Sequence, residues 1–292
     1  MRTFFKYLRP NSIDEAISMK NEHASSASFW SGGTDLTLHW RQEKRHPEYC
    51  IDLSYLKGLN SILISENEIR IGSKTTLWSI ERSRGEHLLL KTLSDVTKLM
   101  CTPQTRSIGT IGGNLCTASP AADLSPVLMA MKAEVIIIGK KGERKLLLEH
   151  FFKGVNKTAL LDDEMLLEIK IPISKQIKKA ASYKRVDRTT VDIALVNAAS
   201  CISIDSKGVI LDARISIGAV APVVLLAENA AKSLLDKHIN DIDESLIRDI
   251  SKKTRDISKP ISDVRASADY RRNMVAVMTK RALLDTIEQL KD

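Results

Sequence analysis

Two glycine-containing motifs are the parts of this sequence best suited to bind an anion. SGGTDL (residues 31–36) follows a short apolar segment, and IGTIGGN (residues 108–114) lies about 80 residues further along. Each precedes a stretch with helical character. Because glycine has no Cβ, consecutive backbone N–H groups can turn towards one ligand, and a following helix N-terminus favours negative charge. Together the motifs predict a site for a phosphate-bearing ligand.

Neither motif matches a common nucleotide-binding signature. The pattern Gly-x-Gly-x-x-Gly of dinucleotide-binding Rossmann units and the Gly-Lys-Ser/Thr ending of a P-loop are both missing from the two segments. The sequence therefore disfavours both of these folds. A Gly-Gly pair also serves as a tight turn, so either motif alone fits a purely structural role.

Side chains that could perform chemistry themselves are sparse. The cysteines Cys50, Cys101, Cys116 and Cys201 are scattered without Cys-x-x-Cys spacing, so we predict buried reduced thiols instead of a zinc or iron–sulfur site. The six histidines are isolated in sequence, and neither Gly-x-Ser-x-Gly nor His-Glu-x-x-His occurs. We predict no metal ligand and no catalytic side chain.

Short elements must position the first motif. Ser12 and Glu15 have capping-box spacing, which predicts a short helix after residue 12. Residues 28–30 read as a strand that leads into the motif, and residues 49–53 read as a second strand. Alternating apolar residues around a polar turn predict a hairpin over residues 62–72.

The second motif lies between two predicted helices. Residues 87–100 form the first, and a helix entered through Asp123 spans the stretch 120–131. Later patterns predict a hairpin over 135–148, a strand over 166–171, a linker over 173–180, a hairpin over 199–218, helical periodicity from residue 225 onward and a closing helix over 264–290. Strands and helices mixed in this order indicate an α+β fold with two or three subdomains.

Composition sets broader limits on the chain. Its 292 residues are enough for about two domains of roughly 150 residues. An apolar fraction of 43%, a charged fraction of 27% and a mean hydropathy of -0.13 are typical of a folded globular protein. No apolar run reaches the roughly 18 residues of a membrane span, and residues 1–10 do not resemble a signal peptide, which predicts a cytoplasmic location. The net charge of +8 is dispersed, so nucleic-acid binding is not predicted.

Several long strings resemble one family. SGGTDL (31–36) and RSIGTIGGNLCTASPAADLSPVLMAM (106–131) are similar to the FAD-binding subunit of xanthine dehydrogenase, carbon monoxide dehydrogenase and related molybdenum hydroxylases. The strings LLEIKIP (166–172), YKRVDRTTVDIALVNAA (183–199) and DVRASADYRRNMVAVMTKRAL (263–283) follow in the family's order. The resemblance covers almost the whole chain. It is closest to a separately encoded bacterial flavin subunit of xanthine dehydrogenase type.

The resemblance implies a fold, a division into domains and a cofactor. The fold is a PCMH-type FAD-binding fold of two α/β subdomains followed by a C-terminal α+β domain of the CO dehydrogenase flavoprotein type. The implied FAD-binding domain covers residues 1–176, divided into about 1–58 and 59–176, and the C-terminal domain covers 177–292. The implied cofactor is FAD.

The resemblance also implies which residues contact FAD. Asp123 corresponds to an aspartate that binds the sugar-alcohol side of the flavin, although it is equally suited to cap a helix. Leu166 corresponds to an apolar flavin contact or an ordinary core residue, and Lys184 to a lysine near the ring or a solvated surface residue. Met100 stands where some relatives have an aromatic residue. The implied contacts from the two motifs are Phe29, Trp30, Ser31, Gly32, Gly33, Thr34, Asp35, Leu36, Thr110, Ile111, Gly112, Gly113 and Asn114.

The implied function is electron transfer within an oxidoreductase complex. A large partner subunit would hold the molybdenum cofactor, and a small partner subunit would hold two [2Fe-2S] clusters in a heterotrimer. Electrons would pass from those clusters through FAD to NAD+ or another acceptor. The alternatives are a self-contained FAD-dependent dehydrogenase with its own small-molecule substrate and a scaffold that no longer binds FAD.

Overall fold

The computed structural model describes residues 5–42, 46–83, 87–189 and 191–291. Residues 1–10 were predicted not to be a signal peptide, and the first four of them lie outside the described residues. Three larger β-sheets and one small hairpin organise the described chain. The mixture of helices and sheets confirms the predicted α+β class.

The N-terminal unit is a small parallel sheet with two helices. Its strand order is β1-β3-β2, and both pairings with β3 are parallel. Ser12 caps the first helix as predicted, because its Oγ accepts from Glu15 N at 3.1 Å. The return bond of the capping box differs, because Glu15 Oε2 accepts from Asn11 N, one residue before the cap, at 2.7 Å. The elements of this unit are β1 (Lys6–Leu8), α1 (Ile13–His23), β2 (Ala27–Trp30), α2 (Thr34–Arg41) and β3 (Tyr49–Asp52).

The second unit has an antiparallel sheet in the order β4-β5-β10-β6-β7. The β4–β5 and β6–β7 pairings confirm the two hairpins predicted over 62–72 and 135–148. Its elements are β4 (Ile62–Ile64), β5 (Glu68–Gly72), α3 (Leu77–Arg82), α4 (Leu88–Leu99), α5 (Pro103–Ile108), α6 (Ile111–Thr117), α7 (Leu124–Ala130), β6 (Glu134–Gly139), β7 (Gly142–Leu147), β8 (Phe152–Gly154), β9 (Lys157–Thr158) and β10 (Met165–Pro172).

The C-terminal unit is an antiparallel sheet in the order β11-β12-β13-β14, followed by helices. The hairpin predicted over 199–218 is confirmed by the β12–β13 pairing. The predicted linker 173–180 is too long, because the first strand already begins at residue 178, and the region after residue 225 begins with a short strand before it becomes helical. The elements are β11 (Lys178–Val186), β12 (Val196–Ile204), β13 (Ile210–Gly218), β14 (Leu225–Leu226), α8 (Glu228–Ala231), α9 (Glu244–Asp256) and α10 (Ala268–Lys291).

The C-terminal sheet is covered on both faces. On one face Ala181, Tyr183 and Ala199 join the main core with α4 and α7, and Thr92 Oγ1 donates to Ala181 O at 2.8 Å. On the other face Ile202 packs with residues of α10. Because side chains alternate along a strand, successive residues of β11 face the second unit and α10 in turn.

None of the helices in the described ranges is both long and apolar enough to cross a membrane.

Candidate functional site

The first glycine motif leaves a row of backbone N–H groups without acceptors. Within the described part of the chain, the N–H groups of residues 31–36 donate no hydrogen bond, and the next one, Thr37 N, bonds to Gly33 O at 2.9 Å. None of these six residues is buried. They lie at the N-terminus of α2, where the helix dipole adds positive potential. This geometry is suited to binding an anionic group.

Gly33 and Trp30 shape this helix start together. Gly33 has φ +69°, and a Cβ at that position would lie 2.5 Å from Trp30 Nε1, so only glycine fits. The Trp30 ring lies 5.6 Å from that of Phe5, which lies 5.5 Å from Trp40 of α2. This aromatic cluster packs the turn at Gly33 against α2.

The second glycine motif is the first turn of α6, and this corrects the prediction of a loop with free N–H groups. Thr110 caps the helix, and the following Ile111 and Leu115 have helical spacing and are buried. Four N–H groups that could have faced an anion are already used. Their bonds are Ile111 N to Thr75 O at 3.0 Å, Gly112 N to Ser73 O at 2.9 Å, Gly113 N to Thr110 Oγ1 at 3.1 Å and Asn114 N to Thr110 O at 3.0 Å. The free main-chain N–H groups suited to an anion are therefore those of the first motif.

The two glycines of the second motif have different surroundings. Gly112 is buried, and a Cβ there would lie 2.6 Å from Ser73 O, so this glycine permits close backbone packing. Gly113 is exposed, and a Cβ there would meet only Thr110 Oγ1 within 4 Å, at 3.0 Å. Gly113 therefore presents open surface to a ligand. The neighbouring Asn114 has a buried Oδ1 without a hydrogen-bond partner.

The two motifs meet in the structure. A Cβ on Gly32 would overlap Ile108 O and lie 3.1 Å from the Cα of Gly109, which shows that the backbones are in direct contact. Thr117 Oγ1 donates to Asp35 Oδ2 at 2.7 Å and so links the far end of α6 to the start of α2. The row of free N–H groups and the exposed face of α6 therefore belong to one site.

Asp123 is held by two residues of β11. Tyr183 Oη donates to Asp123 Oδ1, and Arg185 Nη1 donates to Oδ2 at 3.0 Å. The carboxylate makes no capping bond to α7, so the helix-capping role considered for it is wrong. Sequence reasoning missed Tyr183 and Arg185; the signal that could have found them is their spacing of two residues, which places both on one face of a strand.

Electrostatics tie Asp123 to the two motifs. Burial raises the pKa of the Asp123 carboxyl, and Arg185 and Tyr183 oppose that shift. Burial also raises the pKa of the Tyr183 phenol well above its ordinary value, so this side chain stays a proton donor. Burial raises the pKa of the Cys101 thiol, and the negative charges of Asp123 and Asp35 add to the rise. The charges of Asp123 and of Asp35, at the start of α2, therefore both act on the Cys101 thiol.

A buried arginine supports the turn that precedes the second motif. Arg106 Nη1 donates to Met100 O at 2.7 Å and to Cys101 O at 2.6 Å, while its Nε bonds to Glu81 Oε2 at 2.8 Å. Met100 is itself buried in the main core. These hydrogen bonds from Arg106 thus hold the backbone between α4 and α5 in place.

Leu166 and Lys184 lie apart from the exposed part of the site. Leu166 is a buried strand residue of the main core. Lys184 lies on the opposite face of β11 from Tyr183 and forms an ion pair with Asp285 of α10. The structure therefore does not bring Lys184 together with Asp123, because strand alternation points it the other way. Its contact with FAD stays a prediction.

The four cysteines differ in their burial. Cys50 and Cys201 are buried, and burial raises the pKa of each to about 11. Cys101 is half-buried. Cys116 is exposed as a residue, yet burial raises the pKa of its thiol to about 12, so the expectation of buried thiols is confirmed for Cys50 and Cys201 and met only in part for Cys101 and Cys116. In the described ranges, no three or more His, Cys, Asp or Glu side chains are grouped so that they could hold a metal ion.

Two family profiles match successive parts of the chain. Residues 3–174 match the FAD binding domain in molybdopterin dehydrogenase, and residues 181–286 match the CO dehydrogenase flavoprotein C-terminal domain. These matches confirm the predicted fold, an FAD-binding domain followed by a C-terminal domain of this type.

Curated relatives share much of the sequence. The chain is 30% identical to the glyceraldehyde dehydrogenase medium chain of Sulfolobus acidocaldarius, over 95% of this chain and 96% of that protein. It is 29% identical to the carbon monoxide dehydrogenase medium chain of Hydrogenophaga pseudoflava, over 96% of each. It is 30% identical to xanthine dehydrogenase 2 of Arabidopsis thaliana over 80% of this chain and 18% of that protein. These relatives do not single out the xanthine type.

Solved structures show the same architecture. Carbon monoxide dehydrogenase from Hydrogenophaga pseudoflava, in a form that lacks the Mo-pyranopterin moiety, superposes with a TM-score of 0.90 at 28% identity and covers 99% of both chains. Quinoline 2-oxidoreductase from Pseudomonas putida 86 superposes with a TM-score of 0.90 at 25% identity and covers 100% of both. The match extends over the FAD-binding and C-terminal units alike.

Proposed function

Because this chain belongs to the FAD-binding subunits of the molybdopterin dehydrogenases, a family of oxidoreductases, we propose that it transfers electrons between partner subunits and a soluble acceptor. A small partner with [2Fe-2S] clusters delivers the electrons, and a large partner with the molybdenum cofactor generates them. Two of the relatives are named medium chains, which supports a complex of several subunits. Bound FAD supplies the ability to accept electrons singly and to release two together as a hydride.

The row of free N–H groups at residues 31–36 is the observation that carries this proposal. FAD contains a pyrophosphate, and a helix N-terminus with unpaired N–H groups is the kind of site that binds one. The exposed backbone of Gly113 lies beside this row because Thr117 joins the two helices. The residues present therefore fit the phosphate part of the cofactor.

The Asp123 carboxylate fits the sugar-alcohol part of the cofactor. An ionised carboxylate accepts hydrogen bonds from hydroxyl groups, and Asp123 keeps acceptor positions free after its bonds to Tyr183 and Arg185. No side chain of this site needs to act as an acid or a nucleophile. The proposed FAD contacts are residues 29–36, residues 110–114, Asp123 and Leu166. The family resemblance adds Lys184, although its side chain lies on the face of β11 opposite to Asp123 and pairs with Asp285.

The proposed domain limits are 1–176 for the FAD-binding domain, divided at about residue 58, and 177–292 for the C-terminal domain. The small parallel sheet, the five-stranded sheet and the four-stranded sheet support this division. Within the complex we propose NAD+ or another acceptor for the electrons, and a cytoplasmic location. A xanthine dehydrogenase-like complex is supported by the similarity to a plant xanthine dehydrogenase, and an aldehyde or CO dehydrogenase complex is supported by the two medium chains.

The test is to purify the full chain from native expression and identify its cofactor and partners. We expect FAD released by heat or acid, together with two copurifying subunits that contain molybdenum and iron. The isolated chain should oxidise NADH with an artificial acceptor but should not hydroxylate xanthine. Recovery of FMN, flavin that stays attached after denaturation, or rapid flavin reduction by a small metabolite without partner subunits would contradict the proposal.

A further inference from the structure

Asp123 lies in the FAD-binding unit, but the two side chains that bind it belong to the C-terminal unit. We propose that Tyr183 and Arg185 are positioning residues that keep the Asp123 carboxylate ionised and fixed in orientation for FAD. The C-terminal unit thereby controls the affinity for a cofactor whose phosphate site lies elsewhere. This inference rests on the proposed contact between Asp123 and FAD.

The two contacts define the orientation of the carboxylate. Tyr183 Oη occupies one position on Oδ1, and Arg185 Nη1 occupies one on Oδ2 at 3.0 Å. A carboxylate offers about four acceptor positions, so about two remain for the hydroxyl groups of a ligand. The ion pair between Arg185 and Asp123 is buried: the side chain of Arg185 is 6% exposed and that of Asp123 is 11% exposed. Rotation of the carboxylate would break both bonds.

The Arg185 guanidinium is fixed from its other side. Its Nη2 donates to Asp187 Oδ2 at 2.5 Å and to Asp192 O at 3.2 Å. A guanidinium held by three acceptors has little freedom to follow a moving carboxylate. Arg185 therefore acts as a fixed support, and Asp123 takes its position from it.

Arg185 also supplies the charge that favours ionised Asp123. The titratable groups that face this region are Tyr183 and Arg185 on β11, Asp187 directly after β11, Cys101 between α4 and α5, Arg106 on α5 and Asp35 on α2. From β12 the nearby side chain is the neutral Asn197, which donates to Ala122 O at 3.4 Å. In the described part of the chain, Arg185 is the cation in contact with Asp123. Without it, burial and the charge of Asp187 both favour protonated Asp123.

The test measures FAD affinity against pH in the full chain. Apoprotein is titrated with FAD, followed by flavin fluorescence, at pH 6, 7 and 8. The parent should show a flat profile over this range. Arg185→Met should bind FAD more weakly as the pH falls, by about tenfold for each pH unit below the raised pKa of Asp123. Arg185→Lys should restore a flatter profile, and Tyr183→Phe should weaken binding by about three- to tenfold.

Arg271 offers a matched control. It is another buried arginine of the C-terminal unit, with its side chain 5% exposed, and it pairs with Asp263 at 2.7 Å. Arg271→Met also removes a buried cation, but it leaves Asp123 and its partners in place. We expect this variant to keep the flat pH profile of the parent. An equal pH slope in Arg185→Met and Arg271→Met would overturn the inference.

A double variant keeps the test decisive if Arg185→Met does not fold. Asp123→Asn removes the charge that Arg185 offsets, so Asp123→Asn combined with Arg185→Met should fold. The double variant should bind FAD as Asp123→Asn does, because Arg185 acts through Asp123. A further loss of more than about tenfold would show that Arg185 acts on FAD by another route and would refute the inference. A parent chain that binds no FAD would instead refute the proposed function.

Discussion

The Thr117 hydroxyl lies 2.7 Å from Asp35 Oδ2 and joins two helices that begin at different glycine motifs. The same hydroxyl lies 2.9 Å from Gly113 O of its own helix. Asp35 belongs to the row of residues with free N–H groups, and Gly113 is the exposed glycine of α6. One side chain therefore sets the distance between the two surfaces proposed to bind FAD.

Thr117→Val should separate these surfaces while preserving side-chain shape. We expect FAD affinity to fall by about three- to tenfold and the free energy of unfolding to fall by about 0.5–1.5 kcal/mol, the usual contribution of one hydrogen bond. FAD titration and urea unfolding measure the two effects. Thr117→Ser retains the hydroxyl and is the control. Equal FAD affinity in the valine and serine variants would show that the link has no role in binding.

Substitutions at the two glycines of α6 should affect stability and FAD binding differently. Gly112→Ala places a Cβ 2.6 Å from Ser73 O and should lower the free energy of unfolding, by about 1–3 kcal/mol. Gly113→Ala is sterically milder and should leave stability unchanged or raise it by up to about 1 kcal/mol, because alanine favours helix. Gly113→Ala should nevertheless weaken FAD binding. Circular dichroism during thermal unfolding, paired with FAD titration, distinguishes these effects.

Gly113→Val is a more severe form of the same test. It should abolish FAD binding in a chain that still folds, because a branched side chain would cover the surface open to the ligand. If folded Gly113→Val binds FAD like the parent, α6 is structural and the cofactor lies elsewhere.

Local signals in the sequence were sufficient for part of this fold. Ser12 and Glu15 form the expected cap, and the β4–β5 and β6–β7 hairpins form where alternation indicates them. These features depend on residues close together in the chain. The first glycine motif likewise leads into a helix with free N–H groups, as its composition suggests.

The partners of Asp123 could not be predicted from local patterns. β11 begins with Lys178 and Lys179, which resemble a linker, and it becomes a strand through its pairing with β12. Lys179 Nζ is satisfied by Met131 O and Pro172 O, at 3.0 Å each. These are contacts between distant parts of the chain. The N–H groups of α6 were misjudged for the same reason, since residues 73 and 75 supply two of their acceptors.

Arg106→Met should destabilise the turn before the second motif. Arg106 is buried, and its removal takes away the cation that bonds to Glu81 and the donor to two backbone carbonyls. We expect the free energy of unfolding to fall by about 3–5 kcal/mol. Adding Glu81→Gln should recover part of this loss, because the unpaired charge is gone. Urea unfolding of both variants is the measurement, and no recovery in the double variant would show that the carbonyl contacts dominate.

The Arg144–Glu164 pair should make stability depend on pH. Arg144 donates to both Glu164 oxygens, at 2.6 and 2.7 Å, and this bonding holds the pKa of the Glu164 carboxyl below its ordinary value of 4.5. A depressed pKa in the folded state stabilises the protein above the unfolded-state pKa, and the effect is lost as the pH falls through the folded-state pKa. The stabilisation is therefore full at neutral pH and declines below about pH 4.5.

Glu164→Gln tests this linkage. At pH 7 the variant should be less stable by about 1–2 kcal/mol, a modest value because the Arg144 side chain is 38% exposed. At pH 3 the difference from the parent should nearly vanish. Glu168→Gln removes a comparable paired carboxylate, that of the Arg70 pair on the sheet surface, and should cost less than about 1 kcal/mol. A constant difference between parent and Glu164→Gln from pH 3 to pH 7 would contradict the assignment.

Lys184→Met decides between the family resemblance and the geometry of β11. The resemblance places this lysine near the flavin, where its loss would weaken binding by roughly five- to thirtyfold. In the structure its ammonium group pairs with Asp285, and the two side chains are 34% and 39% exposed. A partly exposed ion pair contributes up to about 1 kcal/mol to stability. We therefore expect Lys184→Met and Asp285→Asn to lower stability equally and to change FAD affinity less than about threefold. A loss of affinity confined to Lys184→Met would place the lysine at the cofactor, because only the ion pair is common to both variants.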